Sequence, residues 1–291
     1  MIPYVREMEF EYGRPDRVSP LIRRVIANNP GPFTFRGTGT YLVGHGEVAV
    51  IDPGPDDRAH LAALLAALEG ETVKVILTTH DHSDHAPLAA ELARRTGAPI
   101  TGRAMKPGLE EGHDRGYRPD RVLRDGEEVC GPGWTLRTLA TPGHTANHLC
   151  YVLAEENALF CGDHVMGWST TVIVPPGGSM TDYYASLRKV QAGDFATLWP
   201  THGPPITDPE PFMAAYLDHR LRREAQILTA LDRGPATVPQ LTSMLYIGLD
   251  PRLHRAAGAS IMAHLAHLMS VGSVVGDLPV AANTEFRLAP V

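Results

Sequence analysis

The stretch VKVILTTHDHSDH, residues 73–85, decides the fold of this 291-residue chain. Its first half, residues 73–77, is a short apolar run rich in β-branched residues, which predicts a buried strand. That strand runs directly into HDHSDH, and neutral imidazole nitrogens with carboxylate oxygens are the ligands that zinc and similar cations use. In a tight loop after a strand, His80 and His82 can face one ion. Asp84 and His85, at the end of the same motif, can face a second ion.

The same arrangement, a strand that ends at a candidate ligand, recurs farther along the chain. Residues 134–140 form a β-type run that leads into TPGH, and residues 158–161 lead into Gly162-Asp163. Residues 196–199 predict a short strand that ends at PTH. Seven ligands exceed what one four-coordinate site can use, so we predict two divalent metal ions per chain, with Zn²⁺ as the expected metal. The seven are His80, His82, Asp84, His85, His144, Asp163 and His202.

Helices and further strands are predicted around these loops. Residues 40–52 predict a β-hairpin that turns at Gly44-His45-Gly46. Asp56 is the expected N-cap of a helix that ends near Gly70, because leucines follow it at helical spacing. A second helix begins near Pro87 and is closed by Gly97, and a third covers 181–192. We therefore predict an α/β domain over residues 1–208.

From residue 209 the pattern changes, and a separate small domain is predicted over residues 209–291. A long helical stretch reaches Asp232, and helical stretches follow at 236–246 and 252–269. A pair of β-strands is predicted within 273–289. Helix, helix, helix and hairpin in that order indicate a winged helix-turn-helix arrangement.

The metal-ligand motifs resemble those of the metallo-β-lactamase superfamily. HDHSDH at 80–85, TPGHT at 141–145, GD at 162–163 and the histidine of WPTHGP at 199–204 match that family's motifs in order and spacing. The resemblance implies an αββα sandwich. It also implies a first metal on His80, His82 and His144, a second on Asp84, His85 and His202, and Asp163 as the bridge between them.

The chain is closer still to the endoribonuclease subgroup around β-lactamase-like protein 2. NPGPFTFRGTGTYLVG at 29–44, GWSTTVI at 167–173 and DYYASL at 182–187 carry this likeness, together with the C-terminal winged-helix pattern. One departure is visible at Gly39, where that subgroup often has Asn. A substrate contact from the first strand is therefore expected to be lost.

The predicted activity is hydrolysis by a metal-bridging hydroxide, because two cations lower the pKa of a shared water toward neutrality. Asp84, on the second metal, is expected to orient that water and accept its proton. The first substrate hypothesis is a phosphodiester of single-stranded RNA, and the second is an acyl thioester on acyl carrier protein or coenzyme A. A third hypothesis, of another class, is a nucleic-acid-binding regulator with a structural metal site. The dinuclear ligand set argues against the third, because structural zinc sites are usually closed and sulfur-rich.

Candidate substrate contacts lie in two loops and an adjoining helix. Bases of RNA would stack on aromatic side chains, so Trp168, Tyr183 and Tyr184 are candidates, with a basic residue from 102–124. His164, directly after the bridging aspartate, could line the pocket. An acyl chain would instead need an apolar channel. Its candidate residues are Met166, Val172, Ile173 and Val174.

Charge and composition limit the partners. The net charge of −7 gives no broad basic field, and from residue 206 onward seven Arg and no Lys face eight acidic residues. We therefore predict no binding of duplex DNA by the C-terminal domain, which is expected to buttress the cleft or form a homodimer. The chain shows no membrane span or secretory signal, so a cytoplasmic location without a membrane partner is expected. Its three cysteines are interpreted as small buried hydrophobes.

Overall fold

Two β-sheets pack face to face in the computed structural model, which describes residues 1–109, 112–277, 281 and 283–290. Strands β1 to β4 of the first sheet are antiparallel and β4 to β7 are parallel, in chain order across the sheet. These strands are β1 (Pro15–Arg17), β2 (Ile22–Ile26), β3 (Gly39–Val43), β4 (Glu47–Ile51), β5 (Thr72–Leu77), β6 (Ile100–Gly102) and β7 (Arg121–Val122). The second sheet has the order β12-β11-β10-β9-β8. Its strands are β8 (Glu128–Gly131), β9 (Trp134–Ala140), β10 (Leu149–Leu153), β11 (Ala158–Gly162) and β12 (Thr197–Pro200).

Helices cover the outer faces of both sheets. The first sheet carries α1 (Arg58–Ala67) and α2 (Leu88–Thr96), and the second carries α3 (Met180–Gln191). Large side chains fill the space between the sheets with no exposed surface, which makes this the dry core of the sandwich. They include Tyr41, Trp134, Tyr151 and Phe160.

The ends of four strands define the edge of the sandwich where the candidate ligands lie. Strands β4 and β5 are parallel, and so are β11 and β12, so each pair ends at the same edge of its sheet. The two sheets are joined there by two hydrogen bonds: Gly39 N donates to the carbonyl of Thr201 at 2.8 Å, and the side-chain hydroxyl of Tyr41 donates to the carbonyl of Pro200 at 2.6 Å. Residues that follow these strands are therefore held close together.

The C-terminal region has a core of its own but shares a helix with the sandwich. It contains α4 (Pro209–Leu231), α5 (Val238–Leu245), α6 (His254–Ser270) and an antiparallel pair, β13 (Val274–Gly276) and β14 (Phe286–Leu288). Phe212 and Tyr216 of α4 pack into the core of the second sheet, whereas Ile227 of the same helix packs beneath α5 and α6. The predicted α/β sandwich with a winged-helix domain is confirmed. The boundary at residue 208 stays a prediction.

Two local predictions are wrong. Asp57, not Asp56, caps α1, because its carboxylate accepts from the amides of Ala59 at 2.8 Å and His60 at 3.4 Å. Cys130 is exposed on the edge strand β8, while the other two cysteines are buried. Within the described ranges, no helix has the length and apolar character needed to cross a membrane. Residues 278–280 and 282, part of the predicted β pair, lie outside the described residues.

Candidate metal centre

All seven predicted ligands meet at the edge where the strands end. His80 follows β5, and a tight turn closed by the amide of His85 on the carbonyl of His82 at 3.0 Å brings three more ligands to the same place. His144 comes from the loop between β9 and β10, Asp163 follows β11, and His202 follows β12. Their side-chain nitrogens and oxygens form three overlapping groups, each with all ligand atoms within 4.8 Å of one another.

The first group consists of His80, His82 and His144. Nδ1 of His82 lies 2.8 Å from Nε2 of His80 and 3.2 Å from Nε2 of His144. Nδ1 of His144 donates to the carbonyl of Val172 at 2.6 Å. In the neutral imidazole Nε2 is then unprotonated, and its lone pair faces the group. Three nitrogens within reach of one ion are the usual protein share of an open, catalytic zinc site.

The second group consists of Asp84, His85 and His202. Oδ2 of Asp84 lies 3.1 Å from Nε2 of His202, and Oδ1 lies 3.8 Å from Nε2 of His85. Nδ1 of His202 donates to the carbonyl of Gly37 at 3.3 Å. When this imidazole is neutral, the lone pair of its Nε2 therefore faces the other ligands of the group. This group offers one carboxylate and two imidazoles to an ion.

Asp163 lies between the two groups and presents one oxygen to each. Its Oδ1 is 3.6 Å from Nε2 of His85 and 3.5 Å from Nε2 of His202, while Oδ2 is 3.7 Å from Nε2 of His144. Each oxygen would therefore be available to an ion held by the group that it faces.

Among the described residues, three buried atoms in the centre make no hydrogen bond of acceptable geometry, even though Nε2 of His202 lies 3.1 Å from Oδ2 of Asp84: Nε2 of His85, Nε2 of His202 and Oδ1 of Asp163. Buried polar atoms without a partner are costly, and native proteins rarely keep them. Two cations would satisfy all three atoms. Imidazole and carboxylate donors also suit Zn²⁺ or iron, so the residues present fit the expected metals.

Burial and neighbouring charges set the protonation of the histidines. Burial, followed by the adjacent imidazoles, holds the pKa of His80 and His82 well below the usual range. Burial alone would also lower the pKa of His85, but the carboxylates of Asp84, Asp163 and Asp52 raise it well above its ordinary value. The first group is thus held neutral, as metal binding requires, whereas His85 would have to lose a proton before its Nε2 could bind an ion.

Asp52 holds several groups around the metal ligands by hydrogen bonds, and the sequence analysis did not identify it. Its carboxylate accepts hydrogen bonds from the amide of Thr79 at 2.7 Å, from the hydroxyls of Thr79 and Thr201 at 2.8 and 2.7 Å, and from Nδ1 of His85 at 2.9 Å. The last bond leaves Nε2 of His85 free to bind a metal. An available signal was the position of Asp52 directly after β4, the same strand-then-acid pattern that identified Asp163.

Asp81 and His148, which were not assigned to the site, also support it. Asp81 accepts from the amide of Met105 and the side chain of Asn147, both at 2.8 Å, and from Nδ1 of His113. Nε2 of His148 accepts from the backbone amide of Asp163 at 3.2 Å. These bonds fix the loop around the metal ligands rather than contact an ion.

The predicted substrate contacts are more deeply placed than expected. His164 and Tyr183 have no exposed surface and lie with ring centroids 5.1 Å apart, and Tyr184 is buried against His267 of α6. Trp168 is half-buried and stacks on Phe35 at 4.9 Å. Substrate contact by these four residues stays a prediction, and Trp168 is the one among them that is only half-buried.

The sandwich, the ligand groups and the winged-helix region together define a class of protein. Residues 34–202 match the model of the metallo-β-lactamase superfamily, and residues 237–277 match that of the β-lactamase-associated winged helix domain. The chain belongs to the metallo-β-lactamase superfamily and is a metal-dependent hydrolase of that fold.

Particular relatives extend over almost the whole chain. A β-lactamase-like protein 2 homolog from Caenorhabditis elegans is 35% identical over 268 residues, which cover 89% of this chain and 88% of the relative. The atrochrysone carboxyl ACP thioesterase AgnL7 from Paecilomyces divaricatus is 37% identical over 294 residues, covering 95% and 88%. The crystal structure of a β-lactamase domain protein from Burkholderia ambifaria superposes with a TM-score of 0.80 at 20% identity, covering 97% of this chain and 96% of that one. This last likeness concerns the fold alone.

Proposed function

We propose that the chain is a hydrolase with two zinc ions, and that its substrate is a phosphodiester of single-stranded RNA. The position of Asp163, with one oxygen toward each ligand group, is the observation that carries the dinuclear centre. Two bound cations would lower the pKa of a shared water and polarise the bond under attack. Asp84 keeps 28% of its side chain exposed while its neighbours His85 and His202 are buried. It is therefore the carboxylate that orients the attacking water and accepts its proton.

Two exposed arginines adjoin segments that support the centre, and they favour a charged substrate. Arg36 is exposed and precedes Gly37, whose carbonyl holds His202. Arg115 is exposed on a segment whose Asp114 amide bonds to the carbonyl of Asp81. A phosphodiester carries a negative charge at the bond under attack, where such cations attract it, whereas a thioester is neutral at that bond and carries phosphate only elsewhere in coenzyme A or acyl carrier protein. Glu110 and Glu111, two of the four acidic residues in 102–124, lie outside the described residues.

An acyl thioester is the second candidate, and the thioesterase relative at 37% identity favours it. The expected acyl channel receives less support, because Ile173 is packed in the core of the second sheet and Met166 is buried as well. Val174 is 47% exposed and remains available to an acyl chain. A purely structural metal site is not proposed, because the second group keeps an accessible carboxylate and no ligand group contains cysteine.

About two zinc ions should bind per chain, because Asp163 has one oxygen 3.7 Å from Nε2 of His144 in the first group and the other 3.5 Å from Nε2 of His202 in the second. Elemental analysis of protein purified without chelators measures this directly, and it also shows whether iron takes the place of zinc. A reproducible value near one ion, with Asp84 and His202 free of metal in a crystal structure, would contradict the dinuclear centre.

The substrate is tested by comparing a single-stranded RNA oligonucleotide with an acyl-ACP thioester. We expect RNA cleavage that is lost in Asp84→Asn and weakened in Arg36→Ala. Lys74→Ala is the matched control, because Lys74 is an exposed cation paired with Glu47 at the opposite end of β5. If thioester cleavage alone depends on Asp84, and RNA cleavage persists equally in the variant, the RNA proposal is wrong and the thioester candidate replaces it.

A further inference from the structure

Arg220 of α4 is a cation buried at the junction of the sandwich and the C-terminal region. It is 3% exposed, and its guanidinium carbon lies 5.2 Å from the ring centroid of Tyr183 and 5.8 Å from that of Tyr216. In the part of the chain that the structure describes, no carboxylate lies within ion-pair distance of it and its Nε has no hydrogen-bond partner. Burying a charge is unfavourable unless it is compensated. Here two aromatic faces and a carbonyl oxygen take the place of a carboxylate.

The carbonyl in question belongs to Thr171, in the loop after β11. Nη2 of Arg220 donates to it at 2.5 Å, and the amide of Thr171 donates to the hydroxyl of Tyr216 at 2.6 Å. Two side chains of α4 thus hold Thr171 through its amide and its carbonyl. Charge-assisted hydrogen bonds of this kind are stronger and more directional than neutral ones.

Thr171 is connected to ligands of both metal groups. Its hydroxyl donates to the backbone carbonyl of Asp163 at 2.8 Å. The next residue, Val172, uses its carbonyl to accept from Nδ1 of His144 at 2.6 Å. A displacement of this short segment would therefore move the proposed bridging carboxylate and turn the imidazole of His144.

We propose that Arg220 is a positioning residue through which the C-terminal domain sets the metal affinity of the centre. The inference rests on the proposed dinuclear site and assigns a structural part in it to α4, the helix that joins the sandwich to the winged-helix region. Residues that orient metal ligands typically contribute about 10–100-fold to metal affinity or activity. Arg220 acts one step farther away, through Thr171, so we expect an effect near the lower end of that range.

Arg223, on the same helix, provides a matched control. Its guanidinium carbon lies 4.2 Å from the ring centroid of Tyr246, and its Nη1 donates to the carbonyl of Leu245 at 3.2 Å. Like Arg220, it therefore contacts the face of a tyrosine and a backbone carbonyl. Both of these groups lie at the C-terminal end of α5, not in the loop that contains Thr171. A loss of stability in the C-terminal domain alone should appear in both variants.

The test measures zinc retained by the full-length, zinc-loaded protein against rising concentrations of a chromophoric chelator. Arg220→Met should release zinc at a chelator concentration about tenfold lower than the wild type does. Arg220→Lys should recover part of the difference, because it keeps the charge. Arg223→Met should retain zinc as the wild type does, whatever its melting temperature.

If Arg220→Met does not fold, Thr171→Val tests the same connection to the metal ligands independently. It removes the hydroxyl that bonds to Asp163 and keeps the side-chain shape, so it should also release zinc early, and Thr171→Ser should restore retention. Equal zinc retention by folded Arg220→Met and the wild type, or equal loss in Arg223→Met, would overturn the inference. If Arg220→Met does not fold, wild-type retention by Thr171→Val overturns it. A wild type that binds no zinc would instead refute the metal centre itself.

Discussion

Asp84→Asn should leave the chain folded and lower kcat by about 10²–10⁴-fold on the best substrate found. The variant keeps the shape of the side chain but replaces the partly exposed carboxylate that we assign as proton acceptor. Burial opposes this charge, yet His85 and His202 hold the pKa of Asp84 below its usual range, so the wild-type group is ionised at neutral pH. Steady-state kinetics at saturating zinc measure the effect.

Asp232→Asn is a suitable control for that experiment, because Asp232 is exposed at the C-terminal end of α4, far along the chain from the ligand loops. It should retain wild-type kcat. Near-full turnover by Asp84→Asn, with zinc content unchanged, would remove the role assigned to this carboxylate.

Asp52→Ala should destabilise the protein by about 3 kcal/mol and weaken zinc retention, because it leaves several buried donors without an acceptor. The affected donors are the amide and hydroxyl of Thr79, the hydroxyl of Thr201 and Nδ1 of His85. Urea unfolding of the metal-free protein measures the stability, and chelator competition measures the zinc.

Asp52→Asn separates stability from metal binding. Its amide group keeps the size of the carboxylate but can present an N–H to Nδ1 of His85, which would move the imidazole proton to Nε2. A protonated Nε2 cannot bind zinc. We therefore expect Asp52→Asn to unfold closer to the wild type than Asp52→Ala does, yet to lose zinc from the second group. Full zinc occupancy in Asp52→Asn would show that the tautomer of His85 is not controlled by Asp52.

The elements of the fold were predictable wherever local pattern and local structure agree. The strand over 72–77, the helix closed by Gly97 and the pair of strands around Gly44 lie within a residue or two of their predicted positions. Gly97 adopts a left-handed conformation with φ of 75°, which explains why a glycine ends that helix. Errors appeared where neighbouring residues compete for one role, as at the cap of α1, where Asp57 is placed to reach the free amides.

The sequence by itself determined the family, the seven candidate ligands and the two-domain pattern, because each depends on short motifs at the ends of strands. Only the tertiary structure decided which atoms face one another. Asp52 reaches Thr201 across 149 positions of sequence, and α4 reaches the loop of Thr171 across 49. Contacts between such distant segments leave no local periodicity to detect. They arise because two sheets and a long helix are packed together, and that packing also buries His164 and Tyr183, which their positions in the sequence had made candidate substrate contacts.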